Sequence, residues 1–266
     1  MGMNLEKLCE DVRELVQKTG GFISLELEKR EKLNVEAKGK HNYVTHVDKS
    51  AEEMLIKGLS KLLPESGFIA EEGTSKKRGK KFNWIIDPLD GTTNYIHGLP
   101  PFAISVALMD DQEIVLGIIY EISQKECFYA WKGSNAYLNG RIINVSKVDK
   151  VNASLIATGF PYTDFSYLSY FMDTIKFFME NSHGLRRLGS AATDIAYVAC
   201  GRFEAFYEYG LNPWDVAAGV LIVTQAGGRV SDFSGGNNYL FGEEIVISND
   251  MIFDEFLEDV KSIMIR

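Results

Sequence analysis

No apolar run in this chain approaches the roughly 20 residues that a membrane span requires. Its first residues, Met1-Gly2-Met3-Asn4-Leu5-Glu6-Lys7, carry no basic segment followed by an apolar one, so no signal peptide is expected. Cysteine is scarce: Cys9, Cys127 and Cys200 are odd in number, widely spaced and set among apolar neighbours. That pattern excludes a disulfide framework and matches no metal-ligand spacing; it fits reduced thiols in a cytoplasm, the expected location. Positive charge is in deficit, with 28 basic residues against 37 acidic ones and a formal net charge of −9. Such a balance argues against a surface that coats nucleic acid, so direct nucleic-acid binding is not expected. It also repels any anionic substrate, which local cations must then attract. Internal repeats and low-complexity segments are absent as well.

What is there is ordinary in bulk and unusual in one place. At 266 residues, with 45% hydrophobic and 24% charged residues, the chain is a globular protein with ample length for one large domain or two tightly joined lobes. The unusual place is Trp84-Ile85-Ile86-Asp87-Pro88-Leu89-Asp90-Gly91-Thr92-Thr93-Asn94. Phe82 to Ile86 is apolar and β-friendly and reads as a buried strand. Pro88 cannot donate to a sheet ladder, so the strand is expected to stop there, with Asp87 held extended. Gly91 supplies the freedom for a sharp turn. Two acids three residues apart on a bent backbone can converge on one hard cation, with the Leu89 carbonyl as a third oxygen ligand. The amides and hydroxyls that follow then face an anion held by that cation. An isolated D-P-x-D is more often an ordinary acidic turn, so the other segments decide its meaning.

Along the chain, Asn4 to about Arg30 has apolar residues at helical spacing, with Gly20-Gly21 expected to kink or pause the helix. Asn34 to Asn42, with Lys38 and Lys40, reads as a mobile loop. A helix from near Asp48 to before Pro64 precedes a short strand at Gly67 to Ala70, which runs into Glu71. Phe102–Met109, Ile114–Tyr120, Glu126–Trp131 and Ala136–Leu138 are strands joined by short turns, which makes this sheet largely antiparallel. Strands at Leu155–Thr158, Phe203–Glu208 and Glu244–Ile247 then alternate with helices at Ser166–Glu180, Ser190–Cys200 and Pro213–Gln225 and a helix from Met251, which implies a second αβ layer. A lobe boundary is expected near residues 146–152.

Three segments are companions for the central turn. Glu71 follows a strand as Asp87 does, and adjacent strand ends would bring the two together. In Asn212-Pro213-Trp214-Asp215, Asn212 suits an N-cap and Asp215 falls in the first helical turn, where it could simply complement the helix dipole. Gly189-Ser190-Ala191-Ala192 is a small-residue helix start whose free amides could hold an anion, or which could merely pack closely.

Taken together these segments resemble the inositol monophosphatase family of metal-dependent, lithium-sensitive phosphatases, in its bacterial branch. The family's first signature, W-I-(I/V)-D-P-(I/L)-D-G-T-T-N-(F/Y), stands as Trp84 to Tyr95, and its second, (P/C)-W-D-x-A-A-G-x-x-(I/L/V)-(V/I)-x-(E/Q)-A-G-G, as Pro213 to Gly228. Val44-Thr45-His46-Val47-Asp48, Glu71-Glu72 and Gly189-Ser190-Ala191-Ala192 fall at the expected intervals, so the resemblance covers nearly the whole chain. It implies an α+β, layered αβαβα sugar-phosphatase-type fold. Residues 1–148 would be an N-terminal αβ lobe carrying most metal ligands, and 149–266 a smaller C-terminal αβ lobe closing the site.

The resemblance also implies Mg²⁺-dependent hydrolysis of a small polyol phosphate monoester, with two or three ions per site, and a homodimer. Carried over position by position, Glu71, Asp87 and the Leu89 carbonyl would hold one ion. Asp87, Asp90 and Asp215 would hold a second, and a weaker third would sit near Glu71. Thr92, with Asp48 behind it and Glu71 beside it, resembles the water-activating group. The Gly91 and Thr92 amides would bind phosphate, while Asp90, Ala191, Glu208, Asp215 and Arg186 would contact the substrate. The family's mobile-loop lysine would be Lys38 or Lys40. Myo-inositol 1-phosphate is the leading substrate; fructose 1,6-bisphosphate, histidinol phosphate and a 3′-phosphoadenosine nucleotide are the alternatives. Glu208 favours a polyol, because a carboxylate accepts from hydroxyls and repels a second phosphate. A further alternative is a phosphatase-like subunit of a transcription complex, as in some bacterial relatives. Histidines 41, 46, 97 and 183 receive no catalytic role, and Trp84 and Trp214 read as core.

Overall fold

A computed structural model of the chain describes residues 3–29, 35–39, 42–162 and 164–265. The first helix, α1 (Leu5–Leu27), is capped by the Asn4 side chain, which accepts from the Lys7 amide at 3.0 Å. It runs unbroken through Gly20-Gly21, against the expected pause. A Cβ at Gly20 would stand 2.5 Å from a ring carbon of Tyr120, so glycine is what lets the helix lie on the sheet. The two glycines cost roughly 1 kcal/mol each in helix propensity, and the buried face of Val12, Val16 and Ile23 offsets it.

Next, β1 (Val35–Gly39) and β2 (Asn42–Thr45) pair as an antiparallel hairpin, which corrects the loop expected over Asn34 to Asn42. Val35, Tyr43, Val44 and Thr45 are residue types that favour strands, and they outweigh the intervening lysines. Lys40, His41 and the side chain of Lys38 lie outside the described residues. In α2 (His46–Leu62), Thr45 and Asp48 form a reciprocal capping box.

The central sheet has seven strands: β3 (Gly67–Ala70), β4 (Phe82–Asp90), β5 (Ala103–Asp110), β6 (Glu113–Glu121), β7 (Glu126–Trp131), β8 (Ala136–Leu138) and β9 (Arg141–Ile143), adjacent in that order. β3 and β4 are parallel and every other pair is antiparallel. Between β4 and β5 comes α3 (Thr92–His97), which like β9 is too short to leave a periodic trace. β4 does not stop at Pro88. Its register jumps from the Asp87–Ser105 pair to the Asp90–Ala103 pair, so the missing proline N–H falls inside a bulge rather than ending the strand.

The second half holds β10 (Leu155–Thr158), α4 (Leu168–Asn181), β11 (Gly184–Arg186), α5 (Ala191–Ala199), β12 (Ala205–Tyr209), α6 (Pro213–Gln225), β13 (Gly228–Ser231), β14 (Glu244–Asn249) and α7 (Phe253–Met264). Its five-stranded sheet runs β11-β10-β12-β14-β13. β10 is parallel to β11 and β12, and β14 is antiparallel to its two neighbours. The short strands β11 and β13 were not anticipated.

Alternation along the strands sorts the layers. Trp84 and Ile86 of β4 pack with Val12, Val16, Leu55 and Leu59 of α1 and α2 on one face. Ile85 points the other way, to Ile195 of α5 and Val216 and Val220 of α6, which also meet Ile245 and Ile247 of the second sheet. Phe171, Phe178, Phe256 and Val260 of α4 and α7 cover that sheet's outer face with Tyr207. The order is αβαβα. Because α5 and α6 lie between two sheets, all nine residues of α5 are buried. The C-terminal end of β4 and the N-termini of α5 and α6 meet at one cleft.

Candidate active site

The cleft is built on the bulge of β4. The parallel pairing of β3 and β4 sets Ala70 against Ile86, and the Glu71 amide donates to the Ile86 carbonyl at 3.2 Å. Glu71 therefore arrives beside Asp87, as adjacent strand ends require. Ser105, opposite Asp87 on β5, donates to the Trp214 carbonyl at 3.0 Å and so ties the sheet to the start of α6. At that start the Asn212 amide donates to an Asp215 carboxylate oxygen at 2.7 Å, a reciprocal cap that holds the side chain back over the cleft. A Cβ at Gly117 would lie 2.6 Å from the Ala218 carbonyl oxygen, so α6 sits as close to the sheet as a backbone allows.

Asp87, Asp90 and Asp215 converge, each offering a ligand oxygen within 4.8 Å of the others. Asp87 is 2% exposed. Burial, then the charges of Glu71, Asp90 and Asp215, push its carboxyl well above the ordinary value. Asp215 is raised well above it too, by burial and then by Asp90. Burial raises Asp90 to about 6, opposed by the Ser190 hydroxyl and the first amides of α5. Ser190 Oγ and the Ala192 amide both donate to Asp90 Oδ2, at 2.6 and 2.7 Å. The start of α5 thus holds a ligand carboxylate of β4 in place, and one oxygen of Asp90 is spent on that task.

These acids cannot all be ionised without a counter-charge. The donor set around them is carboxylate oxygen plus the buried Leu89 carbonyl, with no thiolate or imidazole among the described lining residues. That set suits a hard divalent cation such as Mg²⁺.

Thr92 stands one turn from the bulge, after Gly91 at φ 88°, a backbone region that side chains other than hydrogen rarely tolerate. Its hydroxyl lies 3.1 Å from Asp48 Oδ1 and 3.0 Å from the Leu89 carbonyl oxygen. Asp48 Oδ2 accepts from the Thr45 amide and hydroxyl, at 2.8 and 2.6 Å. Asp48 is raised by burial, and the Thr45 donors work against that shift. Glu208, on β12, is raised well above its ordinary range by burial and then by Asp215 and Asp90.

Glu71, Asp87, Leu89, Asp90, Gly91, Thr92, Ala191, Glu208 and Asp215 all line one cavity of about 190 Å³. Asp48 stands behind it, reaching it through Thr92. Arg186 does not line it: it is exposed, and its guanidinium donates to the Leu185 carbonyl. Successive side chains along an extended chain alternate in direction, and the neighbour, Arg187, is the one that faces the cavity. Trp84 is core, but Trp214 is only half-buried and forms cavity wall.

A model of the inositol monophosphatase family matches residues 4–264. The chain belongs to the inositol monophosphatase family. The inositol-1-monophosphatase of Mesorhizobium japonicum is 39% identical over 245 residues, 92% of each chain. The Nus factor SuhB of Escherichia coli K12 is 38% identical over 246 residues, again 92% of each. Among solved structures, the extragenic suppressor protein SuhB of Bartonella henselae superposes with a TM-score of 0.88 at 37% identity, over 93% of this chain and 96% of that one. The Thermotoga maritima IMPase gives 0.85 at 36% identity, over 94% and 95%.

Among the residues lining the cavity, Arg187 and Asp194 were not expected from the sequence, nor was the bond from Ser190 to Asp90. Asp194 had a visible signal, a lone carboxylate in the apolar run of α5. Ser190 is the N-cap of that helix, which marks the helix start but not the Asp90 partner. Nothing in the pair Arg186-Arg187 distinguishes the two before the strand is placed.

Proposed function

We propose that the chain is a Mg²⁺-dependent phosphatase that hydrolyses a small polyol phosphate monoester, with myo-inositol 1-phosphate as its leading substrate. The convergence of Asp87, Asp90 and Asp215 at the floor of one cavity carries this reading. Glu71, Asp87 and the Leu89 carbonyl would hold one ion, Asp87, Asp90 and Asp215 a second, and a weaker third would sit near Glu71. Bound there, the ions neutralise phosphate charge and make water a better nucleophile near neutral pH.

The chain's own groups do the rest. The Thr92 hydroxyl has one proton and two acceptors in reach. With the Leu89 carbonyl holding a cation, Asp48 would be left as the acceptor of that proton, and a lone pair of Thr92 Oγ1 would be free to accept from the attacking water. One proton of the attacking water would then point to Thr92 Oγ1, and Glu71, which lines the same cavity, would accept the other. The Gly91 and Thr92 amides would take the phosphate oxygens, and Ala191, Glu208 and the free face of Asp215 the alcohol. A phosphate-release assay across inositol, sugar, histidinol and nucleotide phosphates tests the assignment: inositol 1-phosphate should give the highest kcat/KM, and fructose 1,6-bisphosphate, histidinol phosphate or a 3′-phosphoadenosine nucleotide in first place would replace it.

Two further readings stand on separate observations. Several relatives bear the name Nus factor SuhB, which favours a second role as a phosphatase-like subunit of a transcription complex; capture of RNA polymerase from extract tests it. On α4, Leu168, Met172 and Met179 are exposed along one stripe, which supports a homodimer, to be measured by light scattering.

A further inference from the structure

One helical turn beyond Asp48, α2 carries a second acid that takes no part in the chemistry above. Glu52 falls on the buried face of the helix, between Ala51 and Leu55, and is 0% exposed. A carboxylate at that depth is costly unless donors reach it. Three do, all from the loop that follows β3. The Glu72 amide donates to Glu52 Oε2 at 2.7 Å, and the Thr74 amide and hydroxyl each donate to Oε1 at 2.7 Å. Gly73, between them, sits at φ 64°, and the turn it makes leaves both amides facing one anion. Here the anion is the chain's own.

The Glu72 amide belongs to the peptide group that leaves Glu71. The peptide group that enters Glu71 is held as well, because its amide donates to the Ile86 carbonyl of β4 at 3.2 Å. Peptide groups are planar, so fixing the two that flank Glu71 fixes the direction in which its side chain enters the cavity. Asp48, four residues before Glu52 and so on the same side of α2, accepts from the Thr92 hydroxyl at 3.1 Å. One face of one helix thus grips both the loop that carries Glu71 and the hydroxyl that would align water.

We propose that Glu52 is a positioning residue that clamps residues 71–74 and thereby preorganises Glu71 as an ion ligand. This rests on the phosphatase reading above and names the support of one of its two main ion sites. The ion held by Glu71, Asp87 and the Leu89 carbonyl depends on the clamp. The ion held by Asp87, Asp90 and Asp215 does not, since Asp90 is held by the Ala192 amide and Asp215 by the Asn212 amide. Glu52→Gln is nearly isosteric, but it puts an NH₂ group where one carboxylate oxygen accepts from the loop. In either orientation one backbone amide of the loop then faces a donor.

The test is Mn²⁺ binding to metal-stripped protein, read from the electron paramagnetic resonance of the free ion, in the wild type, Glu52→Gln and Glu53→Gln, the exposed neighbour. Mn²⁺ serves as the probe because it suits the same oxygen ligands as Mg²⁺. Glu52→Gln should weaken one ion about 10- to 100-fold, the scale on which loss of a ligand's support acts, and move the other less than about 3-fold. Glu53→Gln should move neither. With myo-inositol 1-phosphate, the Mg²⁺ concentration for half-maximal rate should rise by the same factor in Glu52→Gln while KM stays near the wild-type value. Unchanged Mn²⁺ binding in folded Glu52→Gln, or equal weakening of both ions, makes Glu52 structural and overturns the proposal. If Glu52→Gln does not fold, Thr74→Val decides, since it removes one of the three donors at an exposed position. The same ion should then weaken about 3- to 10-fold, and an unmoved ion overturns the proposal. A wild type that binds both ions but hydrolyses no phosphate monoester overturns the phosphatase reading, while the Mn²⁺ titrations still decide on Glu52.

Discussion

Replacing Asp87 by Asn should abolish turnover and, in the metal-free protein, raise stability. The substitution is nearly isosteric, and the Leu89 amide that donates to Asp87 Oδ1 at 2.9 Å keeps its acceptor. What changes is charge. Two carboxylates within 4.8 Å repel by about 3.5 kcal/mol per pair at an effective dielectric constant of about 20. The folded protein escapes part of this by taking up a proton, and that escape sets a ceiling. Holding one carboxyl of ordinary pKa protonated at pH 7 costs about 4 kcal/mol. Removing one member of the group should therefore return about 1–4 kcal/mol, or roughly 3–10 °C in Tm for a domain of this size. Thermal unfolding in EDTA at pH 7, alongside phosphate release at modest Mg²⁺, reads both halves. Wild-type turnover in Asp87→Asn would remove Asp87 from the metal site, and a Tm in EDTA that fell would contradict the mutual repulsion of the acids.

Thr92→Ala should lower kcat by about 10²–10⁴-fold and KM much less, because aligning the water matters chiefly in the transition state; an unchanged kcat with a raised KM would limit Thr92 to binding phosphate. The Asp90 carboxyl is raised to about 6 in the folded protein, so its contribution to stability in EDTA is greatest below the unfolded value and is lost as pH rises through about 4 to 6, while the contributions of Asp87 and Asp215, raised well above the ordinary value, persist to higher pH. Mg²⁺ replaces those protons, so the Tm gain from Mg²⁺ should be small at about pH 5 and grow toward about pH 7.5; a gain independent of pH would contradict this. Gly20→Ala should lower Tm by a few degrees, since the clash with the Tyr120 ring, worth about 1–3 kcal/mol, exceeds the gain of about 1 kcal/mol in helix propensity; a raised Tm would show that the ring can move.

Much of this was legible in the residues. The apolar, β-friendly run of β4, the helical spacing of α2 and the N-cap of α6 carry strong signals, and the two long signatures of the inositol monophosphatase family located the carboxylates that the fold then brings together. Other features depend on contacts that are remote in sequence. Gly20-Gly21 looks like a break until Tyr120 is set beside it. Pro88 looks like a strand end until the bulge opposite Ser105 absorbs it. Arg187 takes the place expected for Arg186 because the direction of a side chain depends on a strand of three residues, too short to read. Ser190 serves Asp90 only because α5 is seated between the sheets.

The most direct measurement is the rate of phosphate release from myo-inositol 1-phosphate as Mg²⁺ is titrated into EDTA-treated protein. A site of carboxylates that leaves the ion most of its water binds Mg²⁺ loosely, so activity should be absent in EDTA, rise at millimolar Mg²⁺, and fall again when excess ion holds product phosphate in the cleft. Ca²⁺, which tolerates irregular coordination and polarises water less, should suppress the rate. Full activity in excess EDTA would contradict the metal centre at Asp87, Asp90 and Asp215 and the function built on it.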